Sequence, residues 1–286
     1  MSLYESGESN GQISLGALFD GAHDVQGFSS LTIEELAYAL VRGGWPQSIG
    51  EKENIVLRRV YDYVEAVINH DVNRVDGVEK NPNSMRVLMR SLARCSASMA
   101  NNETLRNDMV SEGASLSAPT VASYLNSLRR IHVIEDLPAW NPALRSKTAI
   151  RTTATRHYID PSIAAAALRV NQKRLLQDFN TFGLLFESLC VRDLRVCTQA
   201  IDGEVFHYRD KNGLECDAVV QLKDSRWGAI EVKMGSREID GGANNLRMLR
   251  SLVKRDPVFL MVLTATDIAY RRSDGVFVVS IGCLKD

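Results

Sequence analysis

Leu214-Glu-Cys-Asp217-Ala-Val-Val-Gln-Leu222, the turn Lys223-Asp-Ser-Arg226, and Trp227-Gly-Ala-Ile-Glu231-Val-Lys233 together decide the fold. Both arms alternate with a period of two, the spacing of a strand with one face in a core. The stretch therefore predicts a β-hairpin. On its first arm Leu214, Cys216, Ala218 and Val220 are expected on one face, with Glu215, Asp217 and Val219 on the other. On the second, Gly228, Ile230 and Val232 oppose Ala229, Glu231 and Lys233. Pairing symmetric about residue 224 sets Asp217 across from Glu231, so two carboxylates and a lysine share one sheet face.

That set suits a hard cation. Mg²⁺ or Mn²⁺ takes oxygen ligands and keeps several waters, so two carboxylates on rigid strands suffice. Asp217 and Glu231 are expected as ligands, with the carbonyl of Val232 beside them. Lys233 is placed to orient the attacking water and offset charge on a phosphate. Upstream, Leu175, Phe179, Phe182, Phe186, Leu189 and Cys190 form a helical stripe with Glu187 on its flank, a further ligand and catalytic candidate. Alternation leaves open whether Glu215 or Asp217 is the better ligand, since both fall on one face. An exposed Glu-x-Lys also arises from ordinary cross-strand ion pairing.

Beyond the hairpin, a helix from Gly241 to about Lys254, a buried strand over 257–264 and a strand over 276–281 complete a three-layer α/β domain over 175–286. The region before it is α-rich. Thr32-Ile-Glu-Glu35 is a capping box before apolar residues at helical spacing, which Gly43-Gly44-Trp45-Pro46 stops. A second helix is expected over 51–70, with Leu57, Val60, Tyr61, Val64 and Ile68 inward. From Ser84 to Trp140 the order is helix, short helix, helix, strand, that of a winged helix-turn-helix. Its third helix opens at Ser117-Ala-Pro-Thr120 and turns Val121, Tyr124, Leu125 and Leu128 inward. Thr120, Ser123, Asn126, Ser127, Arg129 and Arg130 are then expected outside, where a recognition helix contacts DNA. Terminal arginines also serve a helix dipole, and many winged helices only bind proteins.

The chain has 286 residues, room for two modules. The expected organisation is a glycine-dotted lead-in over 1–30, a helical winged-helix domain over 31–140, a basic connection over 141–174 and the α/β domain over 175–286. With 34 Lys and Arg against 35 Asp and Glu the whole is not polycationic, so nucleic-acid binding needs a local basic surface. The connection supplies one: Arg145, Lys147, Arg151, Arg156, Arg169, Lys173 and Arg174 stand against Asp160 alone. Five cysteines without C-x-x-C spacing read as reduced core residues. With no long apolar run and no signal peptide at the start, a cytoplasmic location without membrane contact is expected.

Asp217, the turn, Glu231-Val-Lys233 and the preceding helix with Glu187 resemble the PD-(D/E)xK nuclease-like superfamily, which implies a restriction-endonuclease-like αβββαβ core and metal-dependent phosphodiester hydrolysis. More closely, Gly183-x-x-Phe186-Glu187, Tyr208-Arg209-Asp210, Gly213-Leu-Glu215-Cys-Asp217 and Ile230-Glu-Val-Lys233 resemble the DUF4143 family. Arg156-His-Tyr-Ile-Asp160-Pro, Arg42-Gly-Gly-Trp-Pro46 and Met1-Ser-Leu-Tyr-Glu extend that resemblance upstream. It implies the C-terminal portion of a AAA-type ATPase. Cys216 stands where the superfamily's name has proline, and no G-x-x-x-x-G-K-[ST] occurs, so no ATP hydrolysis is assigned to these residues. The expected function is DNA binding with Mg²⁺-dependent cleavage. The alternatives are a non-catalytic DNA-binding or regulatory part of an ATPase with a vestigial site, and a protein-interaction scaffold.

Overall fold

The chain begins with three short elements: β1 (Ile13–Ser14), α1 (Leu15–Phe19) and β2 (Gly27–Phe28). Helices then dominate: α2 (Ile33–Arg42), α3 (Glu53–Ala66), α4 (Pro82–Arg94), α5 (Asn102–Ser111) and α6 (Ala118–Arg130). β3 (Ile134–Leu137), β4 (Thr155–Tyr158), α7 (Pro161–Leu168) and α8 (Phe179–Gln199) follow. The C-terminal part holds β5 (Gly203–Arg209), β6 (Glu215–Leu222), β7 (Trp227–Lys233), α9 (Ile239–Leu252), β8 (Phe259–Thr264), β9 (Ile268–Arg271), β10 (Phe277–Ser280) and β11 (Leu284–Lys285). These come from a computed structural model that describes residues 1–75, 77–142 and 153–286. The fold is α/β, with helices in the N-terminal half and a mixed sheet in the C-terminal part.

Two compact units divide the chain and interleave along it. A helical unit takes residues 37–136 and 155–188; a sheet unit takes the described residues of 1–36, 137–154 and 189–286. Arg145, Lys147 and Arg151 of the expected basic connection lie outside the described residues.

In the helical unit, local chemistry sets the helix ends. Asn81, Asn101 and Ser117 each accept a hydrogen bond from the backbone N–H three residues on, at 3.0, 2.8 and 3.3 Å, and so cap α4, α5 and α6. Met85, Leu88, Met89 and Leu92 of α4 and Val121, Tyr124, Leu125 and Leu128 of α6 are buried as their spacing predicts. In α3 the buried face is Val56, Val60 and Val64, and Tyr61 is exposed, which corrects the expected stripe. Val56, Val60 and Val64 are spaced four apart along one face, and Leu57, three residues before Val60, lies half-buried on its flank. The π turn Val67–Asp71 then brings Val67 and Ile68 inward.

Two of the motifs quoted above meet in this unit. Gly43, at φ +77°, turns the chain so that the Gly44 N–H donates to Asp160 Oδ2 at 2.9 Å. Asp160 Oδ1 accepts from the Ser162 N–H at 3.0 Å and caps α7, and Trp45 Nε1 donates to Ser162 Oγ at 3.0 Å. A Cβ on Gly43 would lie 2.6 Å from Asp160 Oδ1, so glycine is required for both space and backbone.

The sheet unit is built on a seven-stranded sheet in the order β2-β9-β10-β8-β7-β6-β5. β5, β6 and β7 form an antiparallel meander; β7 runs parallel to β8 through α9, and β8 parallel to β10. α9 covers one face with Ile239, Ala243, Leu246 and Leu249, against Val219, Trp227, Ala229, Leu260 and Val262. Trp140 joins that core, its ring 4.5 Å from Trp227 and its Nε1 donating to Gln221 Oε1 at 2.6 Å. Such a pair contributes about 0.5–1.5 kcal/mol beyond its buried area.

Residues 1–30, expected to stand apart as a lead-in, belong instead to this unit. β2 pairs with β9 and forms an edge of the sheet, and β1 pairs in parallel with β11. Leu3, Leu15, Leu18 and Phe19 are buried, the Leu3 N–H donates to buried Asp193 Oδ2 at 2.8 Å, and Phe19 meets Phe259 edge-on at 5.0 Å. Elements two residues long carry no periodicity, which is why the sequence pattern leaves them out.

Candidate functional site

The hairpin register is the expected one. Ala218 pairs with Ile230, Val219 with Ala229, Val220 with Gly228 and Gln221 with Trp227, all symmetric about residue 224. Continued by one step, the register brings Asp217 and Glu231 together.

The facing pattern needs a correction. On β5, Phe206 and Tyr208 are two residues apart, but their partners Val219 and Cys216 on β6 are three apart, so β6 carries a bulge. The extra residue reverses the alternation. Cys216 therefore lies in the same core cluster as Val219 and Ala229, with Leu214 packed against it, not on the face of Ala218. The Cys216 S–H donates to the Ala218 and Ile230 carbonyls at 3.3 and 3.4 Å within the bulge. Glu215 is thereby separated from Asp217 and pairs instead with Arg209 at 3.0 Å, both half-exposed. Of the two, Asp217 is the one that stands beside Val232 and Lys233.

Asp217 takes the place of a ladder partner. Its Oδ2 accepts the Val232 N–H at 2.7 Å and lies 3.5 Å from Lys233 Nζ. Lys233 Nζ also contacts Glu231 Oε2 at 2.7 Å. The N–H and C=O of one strand residue point to the same side, so the Val232 carbonyl faces the edge that Asp217 occupies. Gly242 of α9 lies over the pair: a Cβ there would meet Glu231 Cβ and Lys233 Cε at 3.4 Å, ordinary van der Waals contact. From the same helix Asn245 hydrogen-bonds the Glu231 carboxylate. Asn245 was missed in the sequence reading, although a polar residue three positions after Gly242 on a sheet-covering helix was the available signal.

Burial governs the electrostatics. Glu231 is only 2% exposed. This burial first, and the Asp217 charge second, push its carboxyl up to about 7, against the pull of Lys233 and Asn245. For Lys233, burial pulls down, but Asp217 and Glu231 together outweigh it and hold the amine above its ordinary value. Lys233 is thus a persistent ammonium. Burial, then the Glu231 and Asp217 charges, push the Cys216 thiol well up, so it is not a thiolate ligand.

The two-carboxylate, one-ammonium arrangement fits Mg²⁺, which is commonly held by one or two carboxylates with waters and substrate phosphates. Among the described residues no group of three or more His, Cys, Asp or Glu side chains is arranged to hold a metal. Glu187 is half-buried on α8, in the stretch that belongs to the helical unit; the residues that the sheet brings together are Asp217, Glu231 and Lys233.

On α6, Asn126 and Arg130 are exposed and Thr120 and Ser123 half-buried. Ser127 is a correction: it is 1% exposed, and its hydroxyl donates to the Ser123 carbonyl at 3.2 Å. It lies three residues from Tyr124 and next to Leu128, within the inward arc of the helix. Arg129 is engaged by Asp136, with Nε and Nη2 donating to its two oxygens at 2.8 and 3.2 Å.

With the fold and site in place, comparison with known proteins adds two matches. Residues 182–284 match the family model described as Domain of unknown function (DUF4143). This part of the chain is a DUF4143 domain. Its span runs from within α8 through the sheet to β11 and includes Glu187, Asp217, Glu231 and Lys233. Residues 33–174 match a second model, Domain of unknown function (DUF8612). No curated protein and no solved structure matches the chain. Among the described residues no helix is long and apolar enough to cross a membrane.

Proposed function

We propose that this chain binds DNA and hydrolyses its phosphodiesters with Mg²⁺ or Mn²⁺ held at Asp217 and Glu231 of the DUF4143 domain. The carrying observation is the convergence of Asp217 and Glu231 on Lys233 Nζ, at 3.5 and 2.7 Å, at the end of a rigid hairpin. The order α8, β5-β6-β7, α9, β8 supports a PD-(D/E)xK-like αβββαβ core. The order α4, α5, α6, β3, with β4 paired to β3, supports a winged helix. A bound cation would act as Lewis acid toward the phosphoryl oxygen. Lys233, kept charged, offsets the negative charge that develops on the phosphate and orients the water rather than taking its proton. The Val232 N–H holds Asp217 in place. Exposed Asn126 and Arg130 of α6 are the residues on that helix most available to DNA. The partner that the family resemblance suggests is a AAA-type ATPase domain.

The test is cleavage of plasmid and branched DNA with Mg²⁺ or Mn²⁺. Wild type should cut, and Asp217→Asn and Lys233→Ala should lose at least about 10²-fold in rate, the scale on which removing one group that stabilises transition-state charge is felt. Equal rates in all three would sink the catalytic assignment. A second reading, DNA binding with a vestigial site, is favoured by the lack of a third ligand side chain among the described residues. It predicts salt-dependent retention of DNA without cutting by wild type in either metal.

A further inference from the structure

The expected basic connection has two possible fates for its cations: pairing with acids elsewhere, or remaining available for phosphate. In its described part the structure separates them. Arg156 is consumed internally. Its guanidinium donates to the Ala100 carbonyl at 3.0 Å and to Asn102 Oδ1 at 2.6 Å, and lies 3.8 Å from Asp136. The segment's one acid, Asp160, is buried in capping α7 and holding Gly44.

Arg169, Lys173 and Arg174 behave differently. Among the described residues none of the three forms an ion pair, and all are exposed. They line one cavity of about 440 Å³ with Leu168, Val170, Asn171 and Gln177, and that lining contains no acid. The acid that acts on Arg169 from the neighbouring helix α3 is Glu65, which is already engaged by Arg86 at 2.6 Å. Asp178, next along the chain, feels the Arg174 charge, but its carboxylate is bonded elsewhere: it accepts from the Thr181 N–H at 3.1 Å and from the Thr181 hydroxyl at 2.7 Å.

Arg169 also holds an unfavourable backbone. It ends α7 at φ 57° and ψ 39°. This is the left-handed position where glycine is the usual residue. A side chain there costs conformational energy that glycine would avoid. The arginine is exposed and lines the cavity.

We infer that Arg169, Lys173 and Arg174 form a docking site for backbone phosphates of nucleic acid, made of residues other than those of α6. Three exposed cations around an open, largely polar cavity suit a phosphate chain passing across them. An engulfed small ligand would instead call for a mostly apolar, enclosing pocket. The inference rests on the DNA-binding reading above and locates a part of that surface.

The experiment measures fluorescence anisotropy of labelled duplex DNA with the full chain over a range of NaCl. Each lost phosphate contact lowers the slope of log K against log salt by about 0.9. Arg169→Gln/Lys173→Gln/Arg174→Gln should therefore flatten the slope by roughly 2 to 3. A control of equal charge change in the same unit, Lys52→Gln/Arg58→Gln/Arg74→Gln, should keep the wild-type slope. Equal slopes for wild type and the first triple variant, or equal losses in both triple variants, overturn the site while leaving DNA binding intact. Absence of salt-dependent binding by wild type overturns the DNA-binding reading and this site with it. Arg169→Gly provides an independent check: it should weaken DNA binding without lowering the melting temperature, whereas a purely structural arginine would show no change in binding.

Discussion

Glu215 and Asp217 differ by a single bulge residue. Because β6 has one residue more than β5 between the paired positions, Glu215 reaches Arg209 on the neighbouring strand and Asp217 reaches Lys233 on the hairpin partner. Glu215→Gln should then leave the proposed metal-dependent cleavage within about twofold of wild type, since an exposed ion pair contributes only ~0–1 kcal/mol. A loss from Glu215→Gln as deep as that from Asp217→Asn would show that the alternation, and not the bulge, describes the site. His207 on β5 offers a second residue-level prediction. It is 4% exposed, and burial holds its imidazole below the ordinary value. The unfolded chain takes up a proton near pH 6.5 that the folded protein resists. Stability attributable to His207 is thus fully present above that pH and is lost as pH falls toward the folded value, by at most about 1.4 kcal/mol per pH unit. Urea unfolding of wild type and His207→Gln at pH 7 and at pH 5 should show a smaller acid-side loss in the variant. Identical losses would mean that His207 protonates as readily in the fold as out of it.

At the scale of elements, the hairpin was legible because its arms alternate and its turn is short. The register symmetric about residue 224 follows from those two facts alone. The bulge was not legible. It depends on β5, and nothing within 214–222 marks which residue is extra. Likewise Ser127 reads as outward by polarity, but helical spacing puts it beside Tyr124 and Leu128, and a hydroxyl tolerates burial once it bonds the carbonyl four residues back. Gly228 shows the reverse case, a residue whose meaning appears only with its neighbour strand. It pairs with Phe259 on β8, and a Cβ would lie 2.6 Å from the ring's Cε1. That ring is also packed against Phe19, so it cannot easily withdraw. Gly228→Ala should cost about 1–3 kcal/mol by overpacking. Pairing it with Phe259→Leu should recover part of that loss in a double-mutant cycle of chemical unfolding. Strict additivity of the two single losses would remove the clash as the cause.

At the scale of the whole molecule, sequence order and spatial units diverge. Periodicity reports where elements are, and for α2 to α9 it does so well, but it is silent on which distant segments complete a core. The DUF4143 match begins at residue 182, yet the unit containing that sheet also takes residues 1–36. The N-terminal segment contributes an edge strand, four large apolar side chains and a partner for buried Asp193. Full burial of each such side chain is favourable by about 1.5–3 kcal/mol, so their joint removal forfeits on the order of 6–12 kcal/mol before any gain in chain entropy. That equals the net stability of a typical domain, about 5–15 kcal/mol. A chain beginning at residue 31 should therefore fail to form a stable sheet unit. It should lose the buried environment of Trp140 and Trp227, read as a red shift and loss of cooperativity in tryptophan fluorescence during urea unfolding. Asp193→Ala should give a graded version, because it leaves Arg192, only 7% exposed, without the carboxylate that accepts from its Nε and Nη2 at 2.9 and 2.7 Å. Breaking a buried pair in this way costs roughly 3–5 kcal/mol, enough to lower the denaturation midpoint while the fold persists. If the shortened chain unfolds at the wild-type midpoint, the N-terminal packing adds no stability, and the 175–286 boundary expected from periodicity describes the folding unit after all.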